Sequence, residues 1–387
     1  MLRFLISFFS LYGLMHLYLY LRVRPLLAPG MRRILVGLLF TAMVLAPLLV
    51  RRLDRLDLEA LAIGIAWCGY CWMGFAFLLV VILGCIDLLR LLAWISACCG
   101  FVVPSLPVFS DRNRALGAVL LAACCTLYGG YEATHIRSEH LTLYSAKLPA
   151  GSTGIRIVQL SDVHLGLMVG EKRLRSMLAV VAAARPDILV ATGDIVDGQV
   201  QRLNGLSQQF LAITPRYGSF AVIGNHEYYA GLPQSLDFLR RCGFRTLRRE
   251  TVNVAGMLTI AGVDDPAGAR WAESARSDEQ GFLAADPDRP YTILLKHRPV
   301  VAPESRGRFD LQLSGHVHKG QIFPFNALTY LFFPVRAGLN RLSDGSSLYV
   351  SRGTGTWGPP IRFLAPPEVT IIDLLPAPDL NPPADVM

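Results

Sequence analysis

Ile188-Leu189-Val190-Ala191-Thr192-Gly193-Asp194 is the stretch on which the fold turns. It reads as a buried strand, then a glycine, then a carboxylate at the strand's carboxyl end. Outward from it the same layout repeats. Ile155 to Leu160 reads as a strand and precedes Asp162-Val163-His164. Residues 172–184 read as an amphipathic helix that Arg185-Pro186 ends. Phe220-Ala221-Val222-Ile223 precedes Gly224-Asn225-His226-Glu227, and Leu258-Thr259-Ile260-Ala261 precedes Gly262. Tyr291 to Leu295 precedes Lys296-His297, and Leu311-Gln312-Leu313 precedes Ser314-Gly315-His316-Val317-His318. Strands alternating with helices predict an α/β sheet, and polar groups just past strand ends are where such sheets place their chemistry.

Of the eight histidines, five (His164, His226, His297, His316 and His318) stand at these strand ends in polar company. One such histidine is usually structural. Five, with Asp162, Asp194 and Asn225 in equivalent places, form a nitrogen and oxygen ligand set suited to Mn, Fe or Zn. Each short motif is weak alone. Asp194 reads equally as a helix N-cap. Asp162 and His164 would point to opposite faces of a continuing strand, so a bend is needed to aim both at one ion. Asp197 reads either as a partner that orients a ligand histidine or as a helix cap. Lys296 and Arg298, which flank His297, read first as solvated loop charges and second as phosphate binders.

The first third is of another kind. The chain has 387 residues, 52% hydrophobic and 17% charged, with a mean hydropathy of +0.41. Soluble domains carry about 25% charged residues. The numbers exclude a disordered chain and speak against a wholly soluble one. Residues 4–21, 34–50, 60–86 and 115–131 are uncharged or nearly so, and a spanning helix needs roughly 20 apolar residues. Residues 91–109 are also uncharged but contain Pro104 and Pro107, and read first as a continuation or an interfacial loop and second as a fifth span. Residues 1–137 hold 12 Arg, no Lys and 6 acidic residues, so most of the net charge of +8 flanks the apolar runs. That distribution suits a bilayer, and no nucleic-acid binding is expected from it. The weight of arginines in the loops leans toward an extracytoplasmic catalytic domain. Seven of the eight cysteines lie here, and Cys68-x-x-Cys71 reads first as lipid-facing or helix-packing cysteines in an uncharged run and second as a metal or redox pair. His16 is almost the only ionisable residue within the runs, which therefore read as an anchor and not as a transport path.

Taken together and in order, these motifs resemble the calcineurin-like metallophosphoesterases, over roughly residues 150–375. The family's sequence of D-x-H, G-D-x-x-D, G-N-H-E/D, a single His and G-H-x-H appears as Asp162/His164, Gly193-Asp194-Ile195-Val196-Asp197, Gly224-Asn225-His226-Glu227, His297 and Gly315-His316-Val317-His318. Ser351 to Pro360 and Pro366-Pro367-Glu368 are similar to the tail of the membrane-attached bacterial members. The resemblance implies a four-layer α/β/β/α sandwich, preceded here by an all-α transmembrane region over 1–135 and followed by a flexible tail over 376–387. It implies two divalent metal ions. Asp162, His164 and His318 would hold the first, Asn225, His297 and His316 the second, and Asp194 would bridge them. His226 would protonate the leaving group or stabilise the transition state.

The expected activity is metal-dependent hydrolysis of a phosphoester or pyrophosphate at a bacterial inner membrane, on a substrate that the spans suggest is lipid-linked. Beside it stand a UDP-sugar lipid pyrophosphatase of lipid A synthesis, a soluble or cyclic nucleotide phosphodiesterase, and a catalytically silent scaffold. The unbroken set of ligands argues against the last. The apolar run from Ile322 to Val335, directly after His318, reads first as a buried strand and lid, and second as a surface that dips into the bilayer.

Overall fold

The structure, a computed structural model, describes residues 2–101, 110–149, 151–203, 205–270, 279, 281–286 and 288–378. The chain divides into two compact units, Met1–Tyr131 with Gly358–Phe363, and Glu132–Trp357 with Leu364–Met387.

The first unit holds four helices long and apolar enough to cross a membrane. They are α1 (Leu2–Val23), α2 (Met31–Arg55), α3 (Glu59–Cys98) and α4 (Asp111–Thr134). Large apolar side chains such as Leu14, Leu38, Leu92 and Leu120 are exposed, as lipid-facing residues must be. At 1.5 Å per residue the 40 residues of α3 extend about 60 Å, roughly twice a hydrocarbon core. Residues 91–98 thus continue the third apolar run as helix, whereas residues 102–109, with Pro104 and Pro107, lie outside the described residues. His16 is buried with both ring nitrogens engaged: Nδ1–H donates to the Tyr12 carbonyl at 2.8 Å, and Nε2 accepts from Trp72 Nε1 at 2.8 Å. Asp87 of α3 is likewise paired, with Arg22 at 2.5 Å and the Tyr18 hydroxyl at 2.6 Å. Cys68 and Cys71 are free.

The second unit is built on two six-stranded sheets. Its strands are β1 (Arg137–Ser145), β2 (Ile155–Leu160), β3 (Ile188–Thr192), β4 (Ser219–Val222), β5 (Phe244–Thr246) and β6 (Glu250–Val254), then β7 (Leu258–Gly262), β8 (Tyr291–Leu295), β9 (Leu311–Ser314), β10 (Gly338–Arg341), β11 (Ser347–Val350) and β12 (Glu368–Pro376). The first sheet runs β1-β12-β2-β3-β4-β5 and the second β10-β11-β9-β8-β7-β6. β2, β3, β4 and β5 are mutually parallel, as are β7, β8, β9 and β11. β12 closes the first sheet from the far end of the chain, antiparallel to β2 and parallel to β1.

Alternation along the strands separates two cores. Ile155, Ile157, Ile188, Val190, Phe220 and Val222 face Leu258, Ile260, Ile293, Leu295, Leu311 and Leu313 between the sheets. The intervening Val158, Leu160, Leu189, Ala191 and Ala221 point outward onto helices. Those helices include α5 (Glu171–Ala184), α6 (Leu206–Leu211), α7 (Asn225–Ala230) and α8 (Leu232–Arg241). On the far side of the second sheet Ala261, Val263 and Leu294 bury Leu283 and Phe309. Strands apolar on both faces therefore sit inside a helix-flanked α/β sandwich, as their sequence requires. Because neighbouring strands are parallel, their carboxyl ends open along one edge of each sheet, which gathers the loops after β2, β3, β4, β8 and β9.

One further helix, α9 (Asn326–Phe332), lies in the apolar run after His318 and has no buried residue. This corrects the reading of that run as a buried strand. Leu331 and Phe332 are 77% and 78% exposed. The two ends of the run pack inward: Ile322 is buried, and Phe333 and Val335 lie against Val317, Leu348 and Val350.

Candidate metal centre

Each polar residue expected at the site sits just past a strand end, and the backbone there is bent. Asp162, His164, Asp194, His316 and His318 all have positive φ, between 47° and 71°. For residues with a Cβ this left-handed conformation costs about 1–3 kcal/mol each, and such clusters mark functional loops. The bend resolves the problem of the D-x-H pair: φ of 53° at Asp162 and 55° at His164 turn both side chains to one side.

The side chains converge. His164 Nε2 lies 3.1 Å from His318 Nε2, and His318 Nε2 lies 3.4 Å from Asp162 Oδ1. His297 Nε2 lies 3.1 Å from both Asp194 Oδ2 and His316 Nδ1. Two ligands each about 2.0–2.1 Å from one tetrahedral ion are about 3.3 Å apart, so these spacings are those of shared coordination. Three overlapping groups result: Asp162, His164 and His318; His164, Asp194 and His226; Asp194, His297 and His316. Asp194 belongs to two of them. Asn225 opens α7, and its Oδ1 is buried without a hydrogen-bond partner, as is Nδ1 of His164. A buried carbonyl oxygen left unpaired is costly unless a cation takes it. Two clusters of Asp and His with this donor chemistry fit a binuclear divalent-metal site.

The surroundings aim the ligand atoms. His297 Nδ1–H donates to the Thr192 carbonyl at 2.8 Å, which leaves Nε2 free to coordinate. Asp162 accepts from Ser161 Oγ at 2.5 Å and from the His316 backbone N–H at 3.0 Å. Asp194 Oδ1 accepts from the His226 N–H at 2.8 Å. Glycine is required where loops meet: a Cβ on Gly315 would overlap Ser161 Oγ and Asp162 Oδ2, and one on Gly224 would overlap Asp194 Oδ1.

Neighbouring charges shift the protonation of these groups. Burial disfavours the His297 cation, but Asp194 outweighs it and lifts the imidazole to about 10. His226 is also raised, to about 9, with burial opposed by Asp194 and Asp197. His164 and His316 fall to about 3, through burial first and then through the positive charge of His226 and His297 respectively. Despite its burial, Asp194 is held well below the ordinary carboxylate range, chiefly by His297 and His226.

One neighbour, Glu227, had no role in the sequence reading. Glu227 is fully buried and accepts from the backbone N–H groups of Asp194 (2.9 Å), Ile195 (2.7 Å), Val196 (3.2 Å) and Gly224 (2.7 Å). It staples the loop after β3 to the start of α7, and a Glu three residues past a helix start was the available signal. Burial and Asp194 push it up to about 7, while its four N–H donors favour the anion. Asp197 meets His226, which neither reading of it had as partner: its Oδ1 lies 2.7 Å from His226 Nδ1 and its Oδ2 3.9 Å from His164 Nδ1. Lys296 and Arg298 are not solvated loop charges. Lys296 is buried against Glu279 at 2.5 Å, and Arg298 makes a two-point pair with Asp265 at 2.7 and 3.0 Å. The tail stretch loops back onto the site through Thr354 N–H to the Ser161 carbonyl (2.7 Å) and Gly355 N–H to that of Asp162 (2.9 Å).

The chain is similar to known proteins over this region. Residues 155–320 match the family described as Calcineurin-like phosphoesterase. The chain is 45% identical to an uncharacterised metallophosphoesterase of Aquifex aeolicus, over 66% of this chain and 97% of that one. It is 33% identical to a zebrafish (Danio rerio) transmembrane protein with metallophosphoesterase domain, over 68% of this chain and 63% of that one. An uncharacterised metallophosphoesterase of Bacillus subtilis is 30% identical, over 67% and 95%.

Proposed function

This chain belongs to the calcineurin-like phosphoesterase family and is a metal-dependent, membrane-associated phosphoesterase; on that premise we propose that it hydrolyses a lipid-linked phosphoester or pyrophosphate at a bacterial inner membrane. The observation that carries the lipid reading is α9. Its Leu328, Leu331 and Phe332 are exposed, and Phe333 at its end sets its ring 5.1 Å from that of His316. An exposed apolar surface is kept where something apolar covers it. Here it leads directly to a metal-site histidine, in a chain that carries its own spanning helices.

In this reading Asp162, His164 and His318 would hold one divalent ion and Asn225, His297 and His316 the other, with Asp194 common to both sets. Such ions would supply Lewis acidity toward a phosphoryl group and lower the pKa of a water. The chain's own part is positional and protic. His226 donates its Nδ1 proton to Asp197, so Nε2–H is the proton offered to the departing oxygen. Asp197 keeps that imidazole charged while the oxygen accumulates negative charge. The strained strand-end loops hold the ligands converged before substrate arrives, so little reorganisation remains at the moment of reaction.

The test uses the full chain in nanodiscs, loaded in turn with Mn, Fe or Zn, on phosphatidic acid and on soluble glycerol phosphate. Wild type should prefer the lipid. L331D/F332D should lose at least tenfold on the lipid and much less on the soluble ester. Equal turnover of both by wild type, or equal loss of both in the variant, would reject the lipid reading while leaving the phosphoesterase assignment intact.

A further inference from the structure

Two exposed aromatic side chains flank His226 and take no part in metal binding. Tyr229 is 64% exposed with its ring 5.4 Å from the imidazole, and Trp357 is 53% exposed at 5.9 Å. Both rings stand nearly edge-on to His226, at 67° and 73°. Tyr229 is placed by α7: it lies four residues after Asn225 and three after His226, so all three share a helix face. Trp357 comes from the other side, on the tail stretch that Thr354 and Gly355 tie to the D-x-H loop.

The Trp357 backbone is pinned. The Gln321 carboxamide donates from Nε2 to the Trp357 carbonyl at 2.8 Å and accepts from its N–H at Oε1 at 2.9 Å. Gln321 itself has a φ of 56° and follows the metal-site His318 by three residues. A strained loop residue thus spends both ends of its side chain on holding one exposed indole beside the acid. Among the described residues, neither ring belongs to the cores between and outside the sheets. An indole and a phenol left in water beside a proton donor are a binding surface for an amphipathic ring.

We propose that Tyr229 and Trp357 form a platform for the leaving group, and that the leaving group carries a flat ring face next to the scissile oxygen. This rests on His226 being the acid that protonates that oxygen, since the platform is defined by its position around His226. The shared chemistry is an apolar ring face with a phosphoryl oxygen at its edge, supplied either by an aromatic ring or by the C–H face of a sugar. Gln321 is a positioning residue for this platform.

The experiment uses the metal-loaded full chain in detergent. Substrates are phenyl phosphate, glucose 1-phosphate and ethyl phosphate, and calorimetry measures binding of the uncleavable phenylphosphonate and ethylphosphonate. W357A should raise KM for the preferred ring-bearing ester roughly tenfold, about the worth of one aromatic contact, and weaken its phosphonate similarly. The acyclic compounds should be affected much less. W357F and Y229F should keep most of the ring preference, and Q321A should reproduce the W357A pattern in KM with a smaller size and little change in kcat. Which ring ester suffers more identifies an aryl or a glycosyl source. Equal effects on ring and acyclic compounds would overturn the platform, as would the absence of any W357A effect on the ring-bearing esters and phosphonates. Metal-dependent turnover by wild type in the same assays separates that outcome from failure of the phosphoesterase reading itself.

Discussion

The Asp197 carboxylate lies 2.7 Å from Nδ1 of His226 and reaches to 3.9 Å from Nδ1 of His164, so one acidic side chain spans the proposed general acid and a proposed metal-binding histidine. The contact fixes which His226 nitrogen faces outward. It also raises the imidazole's affinity for its proton, as Asp194 does. A general acid must be protonated to act, so activity should fall as pH rises through its pKa.

His226→Ala should therefore keep both metals and lose about 10² to 10⁴-fold in kcat on esters of poor leaving groups. The loss should shrink as the leaving group becomes more acidic and needs no proton. Metal analysis beside a leaving-group series checks both halves. Loss of metal as severe as in Asp194→Asn would contradict the assignment.

Asp197→Asn should act through His226. Removing the carboxylate lowers the imidazole's pKa, so the alkaline fall in kcat should move to lower pH. The cost should be about 10- to 100-fold, typical for losing a residue that orients a site histidine. The double variant with His226→Ala should be little worse than His226→Ala alone, because both remove one function. Additive losses would mean that Asp197 acts separately, through His164.

Metal loading should displace a proton. In the metal-free protein His297 is held protonated up to about 10, whereas His164 and His316, near 3, are already neutral. A cation on His297 Nε2 must replace that proton, so calorimetric titration near pH 8 should show release of about one proton per chain, read from heats in buffers of different ionisation enthalpy. The sign carries over to stability. His297 has its pKa raised on folding, so its contribution is complete below about 6.5 and is lost as pH climbs toward 10. On that account metal-free protein should lose stability over this window, and metal-loaded protein should not. Heats independent of buffer would count against His297 as a ligand.

Much of this site was legible because ligand type and strand punctuation are local properties. β2, β3 and β8 begin and end where their apolar runs do, and the residues after them are those that converge. What was not legible is imposed from a distance. Nothing in Asp162-Val163-His164 announces two left-handed residues; the conformation is held by the His316 N–H and by the loop carrying Gly355. β12 pairs with β2 and β1 across more than 200 residues, and short-range periodicity does not report such partners. Lys296 and Arg298 looked like loop charges because Glu279 and Asp265, which neutralise them, lie 17 and 33 residues away. The run after His318 was misread for a related reason: its composition suits a core, yet α9 is exposed, and composition alone cannot distinguish protein from lipid as the neighbour.

Gly315→Ala tests whether the fold and the site are separable. Gly315 lies between β9 and His316, and a methyl there would meet Ser161 Oγ and the Asp162 carboxylate. Those atoms belong to the ligand cradle and not to either core, so the strain should fall on metal binding. Overpacking of this kind costs about 1–3 kcal/mol, which the strands on either side of the site can absorb without unfolding. Purified G315A should retain its helical and sheet content and a cooperative thermal transition, while metal per chain falls well below that of wild type and activity falls with it. If G315A instead bound two metals normally, Asp162 would have to move freely, and the close packing of the two sheets' loops could not be what holds the first ligand group together.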